Sequence, residues 1–222
     1  MTILEETYWE KANKTKMGTY ITDMETNFIF SSINKVKQGL VADLGAGAGR
    51  FSIPLAKNNM NVIAIDMSLH GLKRLKFKNN DVDTILADAR ATPLKNNIID
   101  SIIMIEVIDY VPELEHALTE CWRILKHKGS FFLAFGNRSS LKGKLKKFSR
   151  KPYSHSYHHV LKYLDSIGFR VVRKEGFNWL PFNRNSENPL IPLSAKIERL
   201  AGLRKLVGMS PWVMIHAIKS TK

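Results

Sequence analysis

The feature that most constrains the fold is an apolar run ending in a glycine cluster, Val41–Arg50 (VADLGAGAGR). Within it, Gly45, Gly47 and Gly49 alternate with alanine. Glycine reaches positive φ and has no Cβ, so a ligand can approach the backbone closely where a strand turns into a helix. The segment therefore predicts a buried strand, a tight turn and a helix. Such a turn also occurs where no ligand binds. The residues elsewhere in the sequence must therefore show whether this turn belongs to a ligand site.

Along the rest of the chain, short apolar runs alternate with stretches of helical periodicity. The runs predict strands at residues 40–44, 61–66, 83–87, 101–106, 130–135, 169–174 and 212–218. Helical segments separate the successive runs, which is typical of right-handed βαβ units. We therefore predict an α/β fold whose parallel sheet is covered by helices on both faces.

Four of these strands carry a carboxylate at their ends. The residues are Asp43, Asp66, Asp88 and Glu106, and Asp66 lies 21 residues after Gly45. The carboxyl ends of parallel strands share one edge of the sheet, where α/β proteins bind ligands. A carboxylate at this distance from a glycine turn can accept both hydroxyls of a ribose. A single carboxylate is readily explained as a solvated cap, but four in succession favour a ligand site.

The glycine spacing argues against a dinucleotide. In the fingerprint G-x-G-x-x-G the third glycine comes one position later than here, and Arg50 occupies that place. Asp43, two residues before the first glycine, would repel a pyrophosphate and attract a cation. A ligand with an ammonium group, a ribose and an adenine but no phosphate fits better, and S-adenosylmethionine has these parts.

Four segments together resemble the successive motifs of class I S-adenosylmethionine-dependent methyltransferases of the type 11 kind. They are DLGAGAGR, AIDMS, ADARATPLKNNIIDSIIMIEVIDYVPE and ALTECWRILKHKGSFFLAF, all within residues 38–136. The resemblance implies a Rossmann-like, seven-stranded, mostly parallel sheet with helices on both faces and an antiparallel last strand. It also implies an enzyme that uses S-adenosyl-L-methionine, but it leaves the acceptor open.

The same resemblance implies which residues hold the methionine end of the cofactor. Asp43 and the backbone of the glycine turn would bind the methionine moiety. Ile105 and Glu106 would line the cavity near the sulfonium. The implied residues of the turn itself are Gly45, Ala46, Gly47 and Gly49.

At the nucleoside end, the resemblance assigns two further pairs of residues. Asp66 would bind the ribose hydroxyls, with Met67 packing on the adenine. Asp88 and Ala89 would lie at the adenine amino group and ring edge.

No motif assigns a general base. Where the family often has E-V-L-E-H after the fourth strand, this chain has E-V-I-D-Y, so Asp109 and Tyr110 replace Glu and His. A base is needed only if the acceptor must lose a proton. The candidates near the expected mouth are Tyr110, Asp109, His155, His158 and His159, each with an alternative reading as a packing or exposed residue.

Charge is distributed unevenly along the chain. Residues 1–137 hold 16 basic and 16 acidic side chains, and residues 138–222 hold 18 and 4, which accounts for the whole net charge of +14. We predict a single methyltransferase domain, 1–222, with an N-terminal helical cap (1–37), a cofactor-binding core (38–136) and a basic, acceptor-side segment (137–222) with lid insertions at 137–153 and 176–210.

The Phe177–Pro192 connection is the predicted acceptor wall. It carries Trp179, Phe182 and Arg184 among Asn and Pro residues, and a connection this long inside a compact domain is usually functional. In the alternative reading, Trp179 and Leu180 simply cover the core.

The basic segment predicts an anionic acceptor or an anionic surface. Six of the ten residues Lys142–Lys151 are basic, which predicts peripheral contact with an anionic membrane. Contact with RNA ranks lower, because no RNA-reading motif is visible. We expect methyl transfer to a small molecule, a lipid or a lipid-linked glycan. The alternatives are an RNA methyltransferase and a non-catalytic cofactor-binding or basic scaffold protein, and the oligomeric state is left open.

Cysteine usage and the N-terminal sequence predict a cytoplasmic protein. The single cysteine, Cys121, excludes a disulfide framework and a cysteine-based zinc site. The first ten residues lack the pattern of a signal peptide. The longest apolar stretch, Ile98–Val111, is interrupted by three acidic residues and is a poor membrane span.

Overall fold

In a computed structural model, which describes residues 4–33, 39–145 and 152–220, seven strands form one sheet. The strands are β1 (Leu40–Leu44), β2 (Asn61–Asp66), β3 (Asp83–Leu86), β4 (Ile99–Ile105), β5 (Leu125–Gly136), β6 (Phe169–Phe177) and β7 (Trp212–Lys219). Their spatial order is β3-β2-β1-β4-β5-β7-β6. The first five strands are parallel, and β7 runs antiparallel to both β5 and β6. The predicted Rossmann-like sheet with an antiparallel last strand is confirmed.

Helices connect the strands and cover both faces of the sheet. They are α1 (Tyr8–Asn13), α2 (Lys16–Ile33), α3 (Ser52–Lys57), α4 (Leu69–Lys78), α5 (Leu114–Ile124), α6 (Leu141–Leu145), α7 (Tyr157–Ser166) and α8 (Ile191–Leu200). Buried side chains such as Leu118 of α5 and Leu164 of α7 join the apolar cluster on one face. Phe28 of α2 and Leu72 of α4 join the cluster on the other. Burial on both sides explains why the central strands read as continuous apolar runs.

The order of the strands opens a crevice at the end of β1. This strand pairs with β2 on one side and with β4 on the other. The chain thus leaves β1 toward one edge of the sheet and returns to build the other half. Ligands of open α/β sheets bind at such a reversal, beyond the carboxyl ends of the strands. The glycine turn directly follows β1 and lies at this crevice.

Five of the predicted strands differ from the structure by one or more residues at an end, and the largest difference is at the start of β5. Helix α5 starts at Leu114, because Glu113 adopts a φ of 57° and is not helical. Strand β5 starts at Leu125, five residues before the prediction of 130, because Leu125 pairs with Ile99. The basic residues in this extension are exposed, so the extension does not belong to an apolar run and was not predicted as strand.

The predicted polybasic membrane contact, Lys142–Lys151, is only partly visible. Lys142 lies in the short helix α6, and its ammonium donates hydrogen bonds to the carbonyl of Leu180 at 2.7 Å and to Oδ1 of Asn178 at 3.1 Å. This side chain therefore points into the protein and not toward a membrane surface. Residues 146–151 lie outside the described residues. Among the described helices, none has the length and apolar character that a bilayer span requires.

Candidate active site

A cavity of about 700 Å³ opens at the carboxyl ends of β1, β2 and β4 and is walled by α1 and α4. Ten of the eleven predicted cofactor-binding residues line it: Asp43, Gly45, Ala46, Gly47, Asp66, Met67, Asp88, Ala89, Ile105 and Glu106. This volume lies in the range of sites for small molecules and cofactors. Residues that are far apart in sequence meet here because their strands end at the same edge.

The three glycines of the turn serve different needs. Gly45 has a φ of 74°, and a Cβ there would come within 2.2 Å of Cγ2 of Val107. Gly47 has a φ of 50°, and a Cβ there would meet no atom within 4 Å, so the space over it is open. Gly49, which the resemblance also placed at the cofactor, does not line the cavity. A Cβ at Gly49 would lie 2.8 Å from Cγ of Leu75, so this glycine allows α4 to pack closely.

Asp43 is a buried carboxylate at the floor of the cavity. Its Oδ2 accepts a hydrogen bond from the Ser52 hydroxyl at 2.5 Å. Burial raises the pKa of Asp43 to about 6, although the Ser52 hydroxyl and the charge of Arg50 act in the opposite direction. A cation bound beside Asp43 would favour the ionised carboxylate and would replace the solvation that burial removes.

Asp66 ties the end of β2 to the glycine turn. Its Oδ2 accepts the backbone N–H of Gly47 at 2.7 Å, and its Oδ1 accepts that of Ser68, also at 2.7 Å. The Ser68 hydroxyl in turn caps α4 by accepting the N–H of Gly71. The carboxylate is thereby held at the cavity edge. Met67, beside it, is 71 % exposed and lines the cavity.

Asp88 lines the cavity, but its oxygens are engaged by a neighbouring guanidinium. Nη2 of Arg90 lies 2.7 Å from Oδ2 of Asp88, and Nε contacts both carboxylate oxygens at 3.1 Å. These hydrogen bonds hold the pKa of Asp88 below its usual value. Arg90 also bonds to Glu113 at 2.9 Å. Ala89 contributes the adjacent apolar wall.

Glu106, at the end of β4, belongs to a cluster of two carboxylates and two guanidiniums. It accepts hydrogen bonds from Nη1 of Arg184 at 2.6 Å and from Nη1 of Arg50 at 3.1 Å. Arg50 also lies 3.0 Å from Oε2 of Glu25, a fully buried side chain of α2. Glu106 has a φ of 65°, which non-glycine residues seldom adopt and which tends to occur at functional sites.

Arg184 reaches this cluster from a segment distant in sequence and ties it to the N-terminal helix. Its Nη2 donates a hydrogen bond to Oδ1 of Asn13 at 2.7 Å. Its guanidinium also lies 5.1 Å from the ring centroid of Trp9. Through these contacts Arg184 connects α1 to the end of β4.

Helix α1 forms one wall of the cavity. The sequence patterns did not predict that this helix belongs to the site. Thr7 and Glu10 form a capping box at its start, a signal visible in the sequence as T-x-x-E. Glu10 binds Arg74 of α4 at 2.9 Å and Lys78 at 3.0 Å. Burial alone would raise the pKa of Glu10, but the hydrogen bonds from Arg74, Thr7 and Lys78 lower it to about 2. These charge-assisted bonds hold α1 over the cavity.

Of the candidate bases, Tyr110 lines the cavity. Its ring packs edge-on against Trp9, with centroids 6.0 Å apart. Burial and the nearby charges of Glu106 and Asp109 raise the pKa of Tyr110 to about 12.

The other candidates do not line the cavity. Asp109 is buried, and its Oδ2 accepts the backbone N–H of Gly136 at 3.2 Å. Nε2 of His155 lies 3.0 Å from the carbonyl of Ile108. His158 packs against Tyr157, and His159 pairs with Glu115. These contacts stabilise helix α7 and the loops beside the sheet.

The aromatic residues in the lining are Trp9, Phe51 and Tyr110 and not the predicted Trp179 and Phe182. Trp179 donates its indole N–H to the Ser210 hydroxyl at 3.1 Å, and Leu180 is buried. The alternative reading of this segment, a cover for the core, is therefore correct for Trp179 and Leu180.

Comparisons with known proteins identify the family. Residues 42–133 match the model of a methyltransferase domain family. The uncharacterized protein MJ0638 of Methanocaldococcus jannaschii is 34% identical over 178 residues, which cover 78% of this chain and 73% of that protein. The demethylmenaquinone methyltransferase of Renibacterium salmoninarum is 33% identical over 106 residues, but the match spans 48% of this chain and only 45% of that enzyme.

A solved structure extends the likeness to the whole fold. A chain from the complex between the Trm112 methyltransferase activator and a methyltransferase of Haloferax volcanii superimposes with a TM-score of 0.67 and 16% identity, over 98% of this chain and 99% of that one. The fold, the matched domain and the cavity at the glycine turn agree. The chain belongs to the class I S-adenosylmethionine-dependent methyltransferases of the type 11 kind and is an enzyme that uses S-adenosyl-L-methionine.

Proposed function

We propose that this enzyme methylates an uncharged, lipid-soluble small molecule with an aromatic or quinone-type ring. The observation that carries the proposal is the edge-on pair of Trp9 and Tyr110 in the cavity wall next to Glu106. Aromatic side chains favour flat apolar ligands by burial and by ring–ring contact. The match to a demethylmenaquinone methyltransferase supports the same class of acceptor.

The residues of the cavity fit the cofactor that the family uses. Asp43 would accept the ammonium group of the methionine moiety, and Asp66 would accept the ribose hydroxyls. The open space over Gly47 leaves room for a ligand close to the backbone. Because Asp88 is engaged by Arg90, the adenine contact there would involve Ala89 and the backbone, or would require Arg90 to move. When bound, S-adenosylmethionine supplies a methyl group on a carbon already activated by the sulfonium.

The chain's own contribution is to orient the two reactants and to exclude water, not to take a proton. Methyl transfer is an in-line displacement, so holding donor and acceptor in attack geometry supplies much of the acceleration. The Tyr110 phenol, with a pKa raised to about 12, is protonated at neutral pH and can donate a hydrogen bond to an acceptor oxygen. The Glu106 carboxylate is engaged by Arg50 and Arg184. This arrangement favours an electron-rich acceptor that needs no strong base.

Charge in the lining argues against a phosphate-rich acceptor such as RNA. Six carboxylates face the cavity, namely Glu6, Glu10, Asp43, Asp66, Asp88 and Glu106, against the four cations Lys14, Arg50, Arg74 and Lys78. Each of these cations is paired with a carboxylate. Because every cation in the lining is engaged by a carboxylate, the lining suits a cationic cofactor and an uncharged acceptor. The anionic acceptor expected from the overall charge stays a prediction that the lining does not support.

A labelled-methyl assay tests the acceptor class. The protein is incubated with methyl-labelled S-adenosylmethionine and with lipid, small-molecule, RNA and protein fractions of a cell extract. We expect the label in the lipid or small-molecule fraction, including added reduced quinone that lacks a ring methyl. Label in RNA alone would contradict the proposal.

Replacing Trp9 by alanine is expected to raise the KM for the acceptor about tenfold, because an aromatic contact and its buried area are lost. Trp9→Phe keeps the ring and is the matched control, for which we expect a KM close to that of the parent. Calorimetry with S-adenosylhomocysteine measures whether the nucleoside site is intact. An unchanged KM for the acceptor in Trp9→Ala would show that Trp9 does not contact the acceptor.

Cofactor affinity is expected to fall as the pH drops below about 6, by roughly tenfold per pH unit. The reason is that Asp43, whose pKa burial raises to about 6, must be ionised to bind an ammonium group. Binding at pH near 6 should therefore release a proton, which calorimetry in two buffers of different ionisation enthalpy detects. Asp43→Asn removes the titrating group and should bind weakly with no such pH dependence. A flat profile in the parent enzyme would exclude Asp43 as the ammonium partner.

A further inference from the structure

Helix α8 exposes a strip of large apolar side chains. Leu193, Ile197 and Leu200 are 56 %, 55 % and 73 % exposed, and Leu190, just before the helix, is 56 % exposed. At 3.6 residues per turn these four residues fall on one side of the helix. Leu206 and Met209, in the connection that follows, are also exposed.

The strip is not the packing face of the helix. Ile191 and Glu198 point inward and are buried. Glu198 accepts hydrogen bonds from the hydroxyl of Tyr20 at 2.7 Å and from the backbone N–H of Trp179 at 2.9 Å. These contacts hold α8 against the protein, so its outer side stays turned to the surroundings.

Basic residues lie next to the apolar strip. Lys196 and Arg199 occupy the other half of the exposed arc of α8, and Lys205 is exposed in the following connection. From residue 188 to the end of the sequence the only acidic residue is Glu198, which is buried. The outer side of α8 therefore combines apolar and positively charged groups without a negative one.

We propose that α8 is a docking helix for an anionic lipid bilayer. Its apolar strip would enter the boundary between headgroups and acyl chains while Lys196 and Arg199 contact the headgroups. A helix with apolar residues on one side and Lys or Arg on the other is typical of helices that lie in the membrane interface. This surface differs from the Lys142–Lys151 segment, and the proposal does not depend on the identity of the methyl acceptor.

Charge favours a bilayer over a second copy of this chain. A second copy of this chain would bring the same cations against each other. An anionic membrane attracts each lysine or arginine near its surface, by about fivefold in binding per residue. The apolar strip then adds affinity through the area that it removes from water.

Co-sedimentation of the full chain with vesicles tests the proposal. One set of vesicles is an equal mixture of phosphatidylcholine and phosphatidylglycerol, and the other is phosphatidylcholine alone. We expect binding to the anionic vesicles that weakens as salt is raised, and little binding to the neutral ones. The triple variant L193Q/I197Q/L200Q should bind at least about tenfold less, and K196Q/R199Q about 25-fold less.

The matched control is F77Q/L86Q. These side chains are 64 % and 55 % exposed but lie on α4 and on β3, the strand at the opposite edge of the sheet. The control should bind vesicles like the parent, and all variants should keep their affinity for S-adenosylhomocysteine, which shows that they are folded. Equal binding by the parent and the triple variant would overturn the proposal. So would a parent dimer, seen by analytical ultracentrifugation, that the triple variant abolishes.

Discussion

Replacing Arg50 by methionine is expected to lower the free energy of unfolding by about 3–5 kcal/mol at about pH 8, because it leaves a buried charge without its partner. Glu25 is fully buried, and Arg50 is the cation that lies 3.0 Å from its carboxylate. Methionine fills similar space without charge. Glu106 would keep its bonds to Arg184, so the loss should come mainly from Glu25. Denaturant unfolding of the parent and the variant measures the difference.

The pH dependence separates this effect from a simple loss of packing. Burial raises the pKa of Glu25, and removal of Arg50 should raise it further. A group whose pKa is higher in the folded state than in the unfolded state stabilises the protein below its unfolded pKa, and this stabilisation is lost as the pH rises through the folded pKa. The deficit of the variant should therefore shrink from about pH 8 to about pH 5.

A double variant is the control for the Arg50 prediction. Glu25→Gln combined with Arg50→Met removes the buried charge and leaves an amide oxygen for the indole N–H of Trp212. It should recover most of the stability at high pH. A single variant whose deficit stays constant with pH, or grows as the pH falls, would show that the Glu25–Arg50 pair is not the cause.

Local patterns were enough to predict the sheet and the inner part of the site. Strands such as Leu40–Leu44 are short apolar runs, and the helical segments between the runs predicted a parallel sheet. The antiparallel last strand came from the family resemblance and not from a local pattern. Asp43, Asp66 and Asp88 each stand next to such a run, so predicting the strands also predicted that these carboxylates meet. Gly49 was the exception because its close contact is with Leu75, in the next helix, and spacing alone cannot separate the two uses of a glycine.

The outer part of the site depends on contacts between segments distant in sequence. Arg184 and Asn13 are separated by 171 positions and meet at Glu106 only once the sheet has brought both ends of the chain together. No periodic pattern in the sequence predicts such a pair. His155 failed as a candidate for the same reason, since its ring nitrogen meets the carbonyl of Ile108 and not the cavity. The presence of a histidine in a segment near the site does not determine whether its side chain points into the cavity.

Replacing Asp66 by alanine is expected to weaken binding of S-adenosylmethionine by about 10- to 150-fold, the equivalent of about 1.5–3 kcal/mol for a hydrogen bond to a charged group. The carboxylate lies at the cavity edge, where its proposed partners are the ribose hydroxyls. It also accepts the N–H groups of Gly47 and Ser68, so its loss should loosen the glycine turn as well. Calorimetric titration measures the affinity, and thermal unfolding measures the structural part.

Two further variants separate the charge of Asp66 from its structural role. Asp66→Asn keeps one carbonyl oxygen to accept a backbone N–H but loses the charge, so it should preserve the melting temperature better than Asp66→Ala while still binding the cofactor weakly. Asp83→Ala removes an exposed carboxylate at the start of β3, at the opposite end of the parallel strands, and should leave the affinity unchanged. If Asp66→Asn binds like the parent, the charge contributes nothing to ribose recognition. In that case an uncharged oxygen at position 66 is enough for the ribose contact, and the loss of affinity in Asp66→Ala reports the loss of that oxygen and of the hydrogen bonds to Gly47 and Ser68.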